Sequence, residues 1–78
     1  MNPNVVHQYY KKTLGEFTIL VRVDPVTFDG LELIVHKNGE IQKTERTFDE
    51  EIYEDLDADE FEEASPLEFN LYLKGLVK

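Results

Sequence analysis

Ten carboxylates crowd one short stretch of the chain: Asp49, Glu50, Glu51, Glu54, Asp55, Asp57, Asp59, Glu60, Glu62 and Glu63, with no basic residue among them. Carboxylates at this density can hold a hard cation, work in pairs as general acid and base, or attract a basic surface through their summed field. The alternation Asp55, Asp57, Asp59 offers oxygens at every second position, as the first half of a calcium loop does. The remainder of such a loop is missing. Glu60 stands where the tight-turn glycine belongs, and Pro66 where the closing bidentate Glu belongs. These aspartates are expected to attract divalent cations such as calcium weakly, without forming a defined metal site. No single carboxylate pair is marked out for glycoside hydrolysis.

Nucleophilic chemistry has few candidates. The chain has no Cys, two histidines (His7 and His36) and one serine, Ser65, which precedes a proline and lacks flanking elbow glycines. The two histidines fall on different expected elements, so neither a catalytic triad nor a paired metal ligand set is foreseen. Gly15, Gly30, Gly39 and Gly75 are isolated, which excludes a phosphate-cradling loop. The expectation is a non-enzymatic protein with no catalytic residues and no cofactor.

The charge balance narrows the partners. Seventeen acidic residues face eight basic ones, a formal net charge of -9, and removing the ten-carboxylate stretch leaves seven acidic against eight basic. Acidity therefore belongs to one segment. Direct nucleic-acid binding, which needs a basic surface to displace counterions, is not expected. Two accounts of the segment compete: a solubilising face that keeps the chain apart from its copies, and a surface for a basic protein partner. In the second, Glu50, Glu51, Glu54, Asp55, Asp57, Glu62 and Glu63 supply the field, with Tyr53 or Phe61 as an anchor if either is exposed. Mimicry of a nucleic acid is its sharpest form.

Such a field has a fixed shape only if the segment folds. Ile52 and Leu56 are four apart with Tyr53 beside them, so a helix gathers them on one face and leaves the acids on the other. Asp49 reads as its N-cap, with Phe48 and Tyr53 spaced as a hydrophobic staple; Thr47 and Glu50 offer a competing capping box. After Leu56 the period falters at Asp57-Ala58-Asp59-Glu60, so a break is expected, then a short turn carrying Phe61 and Ala64 before Ser65-Pro66.

The rest of the chain must carry that helix. Val5, Val6, Tyr9, Tyr10 and Thr13 recur at helical spacing after Asn2, Pro3 and Asn4, with Lys11 and Lys12 in the last turn and Gly15 beyond it, which predicts a first helix. Phe17, Ile19, Val21 and Val23 alternate with more polar residues, as do Leu31, Leu33 and Val35, predicting two strands with these sets inward. Asn38-Gly39 predicts a hairpin into a polar edge strand over 40–47, in the register that pairs Val35 with Ile41. Leu67, Phe69, Leu71 and Leu73 alternate to Gly75 and predict a last strand in the sheet interior beside the first.

The expected architecture is α+β, in the order α-β-β-β-α-β, a four-stranded mostly antiparallel sheet with two helices on one face, within a single domain spanning 1–78. Its outer face would show Thr18, Leu20, Arg22, Ile34, His36, Tyr72 and Lys74. The chain would then be a monomer, or a weak homodimer through that outer sheet face. The absence of cysteine suits a reducing compartment. The N-terminus lacks a basic stretch followed by an apolar run, and no apolar run approaches the ~20 residues that span a bilayer. A cytoplasmic protein without membrane contact is the resulting expectation.

Overall fold

The computed structural model describes residues 6–74. Along the chain it forms β1 (Gln8–Thr13), β2 (Phe17–Val23), β3 (Asp29–His36), β4 (Ile41–Thr47), α1 (Ile52–Ala58), β5 (Glu62–Glu63) and α2 (Pro66–Leu73). The strands make one antiparallel sheet in the order β4-β3-β2-β1-β5. The α+β class stands. The sheet has five strands, however, and two elements have exchanged type.

The expected first helix is β1. Tyr9 and Tyr10 point to opposite faces of a strand, so each face receives one aromatic ring, and the β-forming tyrosines no longer oppose their own propensity. Lys11 and Lys12 lie in this strand, opposite Leu20 and Ile19. Asn2, Pro3, Asn4 and Val5, invoked for the start of that helix, lie outside the described residues. The expected last strand is α2. Ser65 caps it by accepting a hydrogen bond from the Glu68 N–H at 3.0 Å, and Pro66 occupies the first turn, where its missing donor costs nothing. The buried Phe69 then falls three and four residues before Tyr72 and Leu73, which pack with it. Gly75, the expected end of that strand, lies outside the described residues.

The third correction concerns the layers. In β2–β3 pairing, Leu20 faces Leu33, Ile19 faces Ile34 and Val21 faces Glu32. Leu31, Leu33 and Val35 therefore share a face with Leu20, while Ile19, Val21 and Val23 belong to the other. Two apolar faces need two covers. On one side Val21 and Val23 lie beneath Ile52 and Leu56 of α1, with Tyr10, Phe28 and Phe48 around them. On the other, Leu20 and Leu33 lie beneath Phe69 of α2, with Tyr9, Ile41 and Tyr72 around them. The helices thus sit on opposite faces instead of one. β2 is buried on both: Leu20 and Val23 are 0% exposed and Val21 3%. Each such side chain contributes roughly 1.5–3 kcal/mol on leaving water.

The supposed outer face is correspondingly divided. Thr18, Leu20 and Arg22 lie on the α2 side, Ile34 and His36 on the α1 side, and Tyr72 is on α2 itself. The hairpin register is as the sequence implies, with Val35 opposite Ile41. Gly39 takes φ +97°, a left-handed value that a side chain would strain, while Asn38 Oδ1 accepts from the Glu40 N–H at 2.9 Å.

Candidate interaction surface

All ten carboxylates of residues 49–63 are exposed. They do not belong to one uninterrupted helix. Asp49, Glu50 and Glu51 precede α1; Glu54, Asp55 and Asp57 lie on it; Asp59 and Glu60 follow it; Glu62 and Glu63 form β5. Asp49 does not cap α1 directly. Its carboxylate accepts the Glu51 N–H at 3.0 Å and closes the turn before the helix, whose N-cap position is Glu51, without a side-chain hydrogen bond. The capping box of Thr47 with Glu50 is not formed either.

What fixes the segment is apolar. Ile52 and Leu56 are buried against β2, as their spacing requires. The helix ends because Phe61 N–H reaches back to the Leu56 carbonyl at 2.9 Å and Glu60 N–H to the Asp57 carbonyl at 3.0 Å, with Glu60 left-handed at φ +65°. This reverse turn drops Phe61 onto the Leu56 cluster. It also delivers Glu62 and Glu63 to the free side of β1, opposite Lys11 and Tyr10, where a second short turn had been expected. The Ala64 N–H donates to the Tyr9 carbonyl at 2.9 Å and extends this pairing.

The two lysines of β1 meet the segment without neutralising it. Lys12 Nζ donates to the Asp59 backbone carbonyl at 2.6 Å and lies 5.9 Å from the Phe61 ring centre. Lys11 Nζ pairs with Glu68 of α2 at 3.1 Å, and that hydrogen bond, ahead of the nearby Glu62, raises its pKa. Among the described residues, none of the ten carboxylates forms an ion pair; the two ion pairs present are Lys11–Glu68 and Arg46–Glu32.

The expected anchors are not free. Phe61 and Tyr53 are half-buried core pieces, and Tyr53 stands between Phe28 and Tyr10, with ring centres 6.3 and 6.2 Å away. Its hydroxyl is buried without a hydrogen-bond partner among the described residues. Burial pushes the Tyr53 hydroxyl pKa up, helped by the negative charge of Asp24. Burial likewise raises Tyr10, assisted by Tyr53 and Glu63.

Asp55, Asp57 and Asp59 follow one another around the end of α1. Among the described residues no three acidic or histidine side chains gather as a metal-holding group, these three included. Ser65 is engaged at the cap of α2. His36 contacts Gln42 Oε1 at 3.2 Å and the Phe17 ring at 6.1 Å, whereas His7 lies at the other end of the sheet, so the three do not meet.

Sequence reasoning missed one feature: a cleft of about 540 Å³ where the ends of β1–β4 converge, lined by His7, Arg22, Asp24, Asp29 and Arg46 among others. The Arg22 guanidinium stands 5.5 Å from the Phe69 ring centre. Only the register of four strands brings these residues together, so no local spacing announces them. Arginines and carboxylates both line this cleft, so it carries no field of one sign. No described helix is long and apolar enough to cross a membrane. No protein-family model, curated protein or solved structure matches the chain.

Proposed function

We propose that the protein is a non-enzymatic interaction module that presents the carboxylate surface of α1, its flanking turns and β5 to a basic protein partner. One observation carries this reading: ten carboxylates are all exposed and free of ion pairs among the described residues, on a segment pinned by Ile52, Leu56 and Phe61. An ordered scaffold holds the charges in a constant arrangement, so their potentials add at the surface and steer a cation-rich partner. Glu50, Glu51, Glu54, Asp55, Asp57, Glu62 and Glu63 make the contact surface.

The test compares two triple variants of equal net charge. E50Q/E54Q/D57N neutralises the surface, and E16Q/D29N/E40Q neutralises exposed carboxylates elsewhere. Binding of a labelled Arg- and Lys-rich peptide is followed by fluorescence anisotropy at low and high salt. The first variant is expected to bind about tenfold more weakly at ~0.1 M salt and the second as wild type does, with the difference shrinking as salt screens it. Equal losses in both variants would reduce the effect to net charge and refute a dedicated surface.

A further inference from the structure

We infer that a second copy of this chain docks on β4, edge to edge and antiparallel, about a two-fold axis through Thr44. β4 ends the sheet, and no described element covers its outer side. Every residue from Gln42 to Thr47 is exposed.

The backbone sets which groups are free. His36 N–H donates to the Glu40 carbonyl and Phe48 N–H to the Phe28 carbonyl, both at 2.8 Å, which fixes the phase of the β3–β4 ladder at its two ends. Even-numbered residues of β4 therefore bond to β3, and Ile41, Lys43, Glu45 and Thr47 direct their N–H and C=O groups outward. A two-fold antiparallel pairing must bond these four residues to the same four of the second copy. Three registers keep most of the strand paired, with the axis at Lys43, Thr44 or Glu45. An axis at Lys43 sets that lysine against itself, and an axis at Glu45 does the same for two carboxylates. Like charges directly opposite destabilise a sheet.

The Thr44 register alone pairs opposite charges. It places Lys43 against Glu45 of the second copy, twice by symmetry, and Ile41 against Thr47, using all seven residues of Ile41–Thr47. Gln42 then faces Arg46, whose guanidinium is already held by its own Glu32 at 3.0 Å. Charges on an edge strand ordinarily deter pairing. Here they deter every register except one.

The net charge of -9 on each copy opposes association; Asp49, Glu50 and Glu51 follow directly after β4, but the other seven carboxylates of the segment are remote. β5 lies at the sheet edge opposite β4, and α1 packs over Tyr10, Val21 and Val23 of β1 and β2. The two-fold axis stands normal to the sheet, so the α1 and β5 surfaces of the two copies are set apart by β3 and β4 of each, a separation at which salt screens them from each other while the Lys43–Glu45 contacts remain short.

Sedimentation equilibrium of the full chain from micromolar to millimolar concentration, at ~0.15 M salt, tests the pairing through four proteins: wild type, Lys43→Glu, Glu45→Lys and the double reversal K43E/E45K. Wild type is expected to move reversibly from 9.1 kDa to twice that mass. Each single reversal should weaken association about tenfold, since two attractive cross-strand pairs become repulsive, and the double reversal should restore it. Both positions are exposed, and circular dichroism confirms that each variant folds. In a mixed-label sample, intermolecular NOEs between Lys43 and Glu45 report the register. A wild type that stays at 9.1 kDa, a dimer indifferent to single reversal, or a double reversal that stays monomeric would each overturn the inference.

Discussion

Alanine at position 69 and, separately, at position 67 distinguishes the helix over Pro66–Leu73 from the strand that its alternating leucines suggest. A strand would put Leu67 and Phe69 on one face and make both costly to truncate. The helix makes them unequal: Phe69 is 0% exposed, beneath Tyr9 and against Leu20 and Leu33, whereas Leu67 is 69% exposed. Phe69→Ala removes a fully buried ring and leaves a cavity, at a cost of about 3–5 kcal/mol. Leu67→Ala gives up surface that water already reaches and costs less than about 0.5 kcal/mol. A 78-residue chain has a total stability of roughly 4–12 kcal/mol, so the first substitution removes a large share of it and the second almost none. Urea unfolding followed by far-ultraviolet circular dichroism reads the difference as a midpoint shift, ~3 M for a loss of ~3 kcal/mol at a slope of ~1 kcal/mol per M. Comparable losses in the two variants would place both residues on one buried face and refute α2 as the cover of that side.

Two further outcomes follow, one from Gly30 and one from Tyr53, both on the α1 side of the sheet. A Cβ at Gly30 would collide with the Phe48 ring and lie 2.8 Å from the Arg22 carbonyl oxygen, so Gly30→Ala is expected to destabilise by about 1–3 kcal/mol in a thermal melt; unchanged stability would remove Phe48 from that position. Tyr10, Tyr53 and Lys11 all have raised pKa values, from burial in the tyrosines and from the Glu68 hydrogen bond in Lys11. In each case folding favours the protonated form, so this stability is whole below about pH 10 and is lost as pH rises through the folded values. Tyr53→Phe deletes one of these titrations together with a hydroxyl that has no partner among the described residues. The variant should be at least as stable as wild type near neutrality and lose less at alkaline pH, by urea midpoints in the two conditions; a steeper alkaline loss would contradict the assignment.

The elements that could be read from the sequence are those whose pattern has a single solution. Asn38-Gly39 fixed the β3–β4 register because one choice alone put Ile41 with Val35, and Ile52 with Leu56 fixed the buried stripe of α1. The misreading of β1 has a definite cause: in a sheet covered on both sides, apolar residues lose their alternation. Tyr9 and Tyr10 are adjacent because each face needs one ring, and that adjacency imitates a helical stripe. In Pro66–Leu73 the period-two leucines imitate a strand, yet Ser65, Pro66 and Glu68 spell a helix start and the segment has no β-branched residue. Capping chemistry was the better guide there, since alternation over eight residues also accommodates Phe69, Tyr72 and Leu73 at helical spacing. The carboxylates of the candidate surface were legible as a cluster, but their division among turn, helix and edge strand was not, because the left-handed Glu60 that creates β5 carries no glycine signal.

The second cover also explains how so acidic a segment can fold. If α1 alone had to bury the sheet, its seven residues would need a wide apolar face, and the charge would have to go elsewhere. Phe69, Tyr72 and Leu73 of α2 take half of that task, leaving on the α1 side Val21 and Val23 with the half-buried Tyr10 and Ile19, against which Ile52, Leu56, Tyr53 and Phe61 pack. Every other position of residues 49–63 except Ala58 is then free to be a carboxylate, and all of them are. Charge on this scale is tolerable because each group stays in water, where mutual repulsion is screened, instead of being buried at several kcal/mol per ion. The same arrangement places the acidic strand β5 and the self-complementary strand β4 at opposite edges of one sheet. Pairing through β4 therefore leaves the carboxylates of α1 and β5 open on both copies, and a dimer would offer a basic partner two such sets at once.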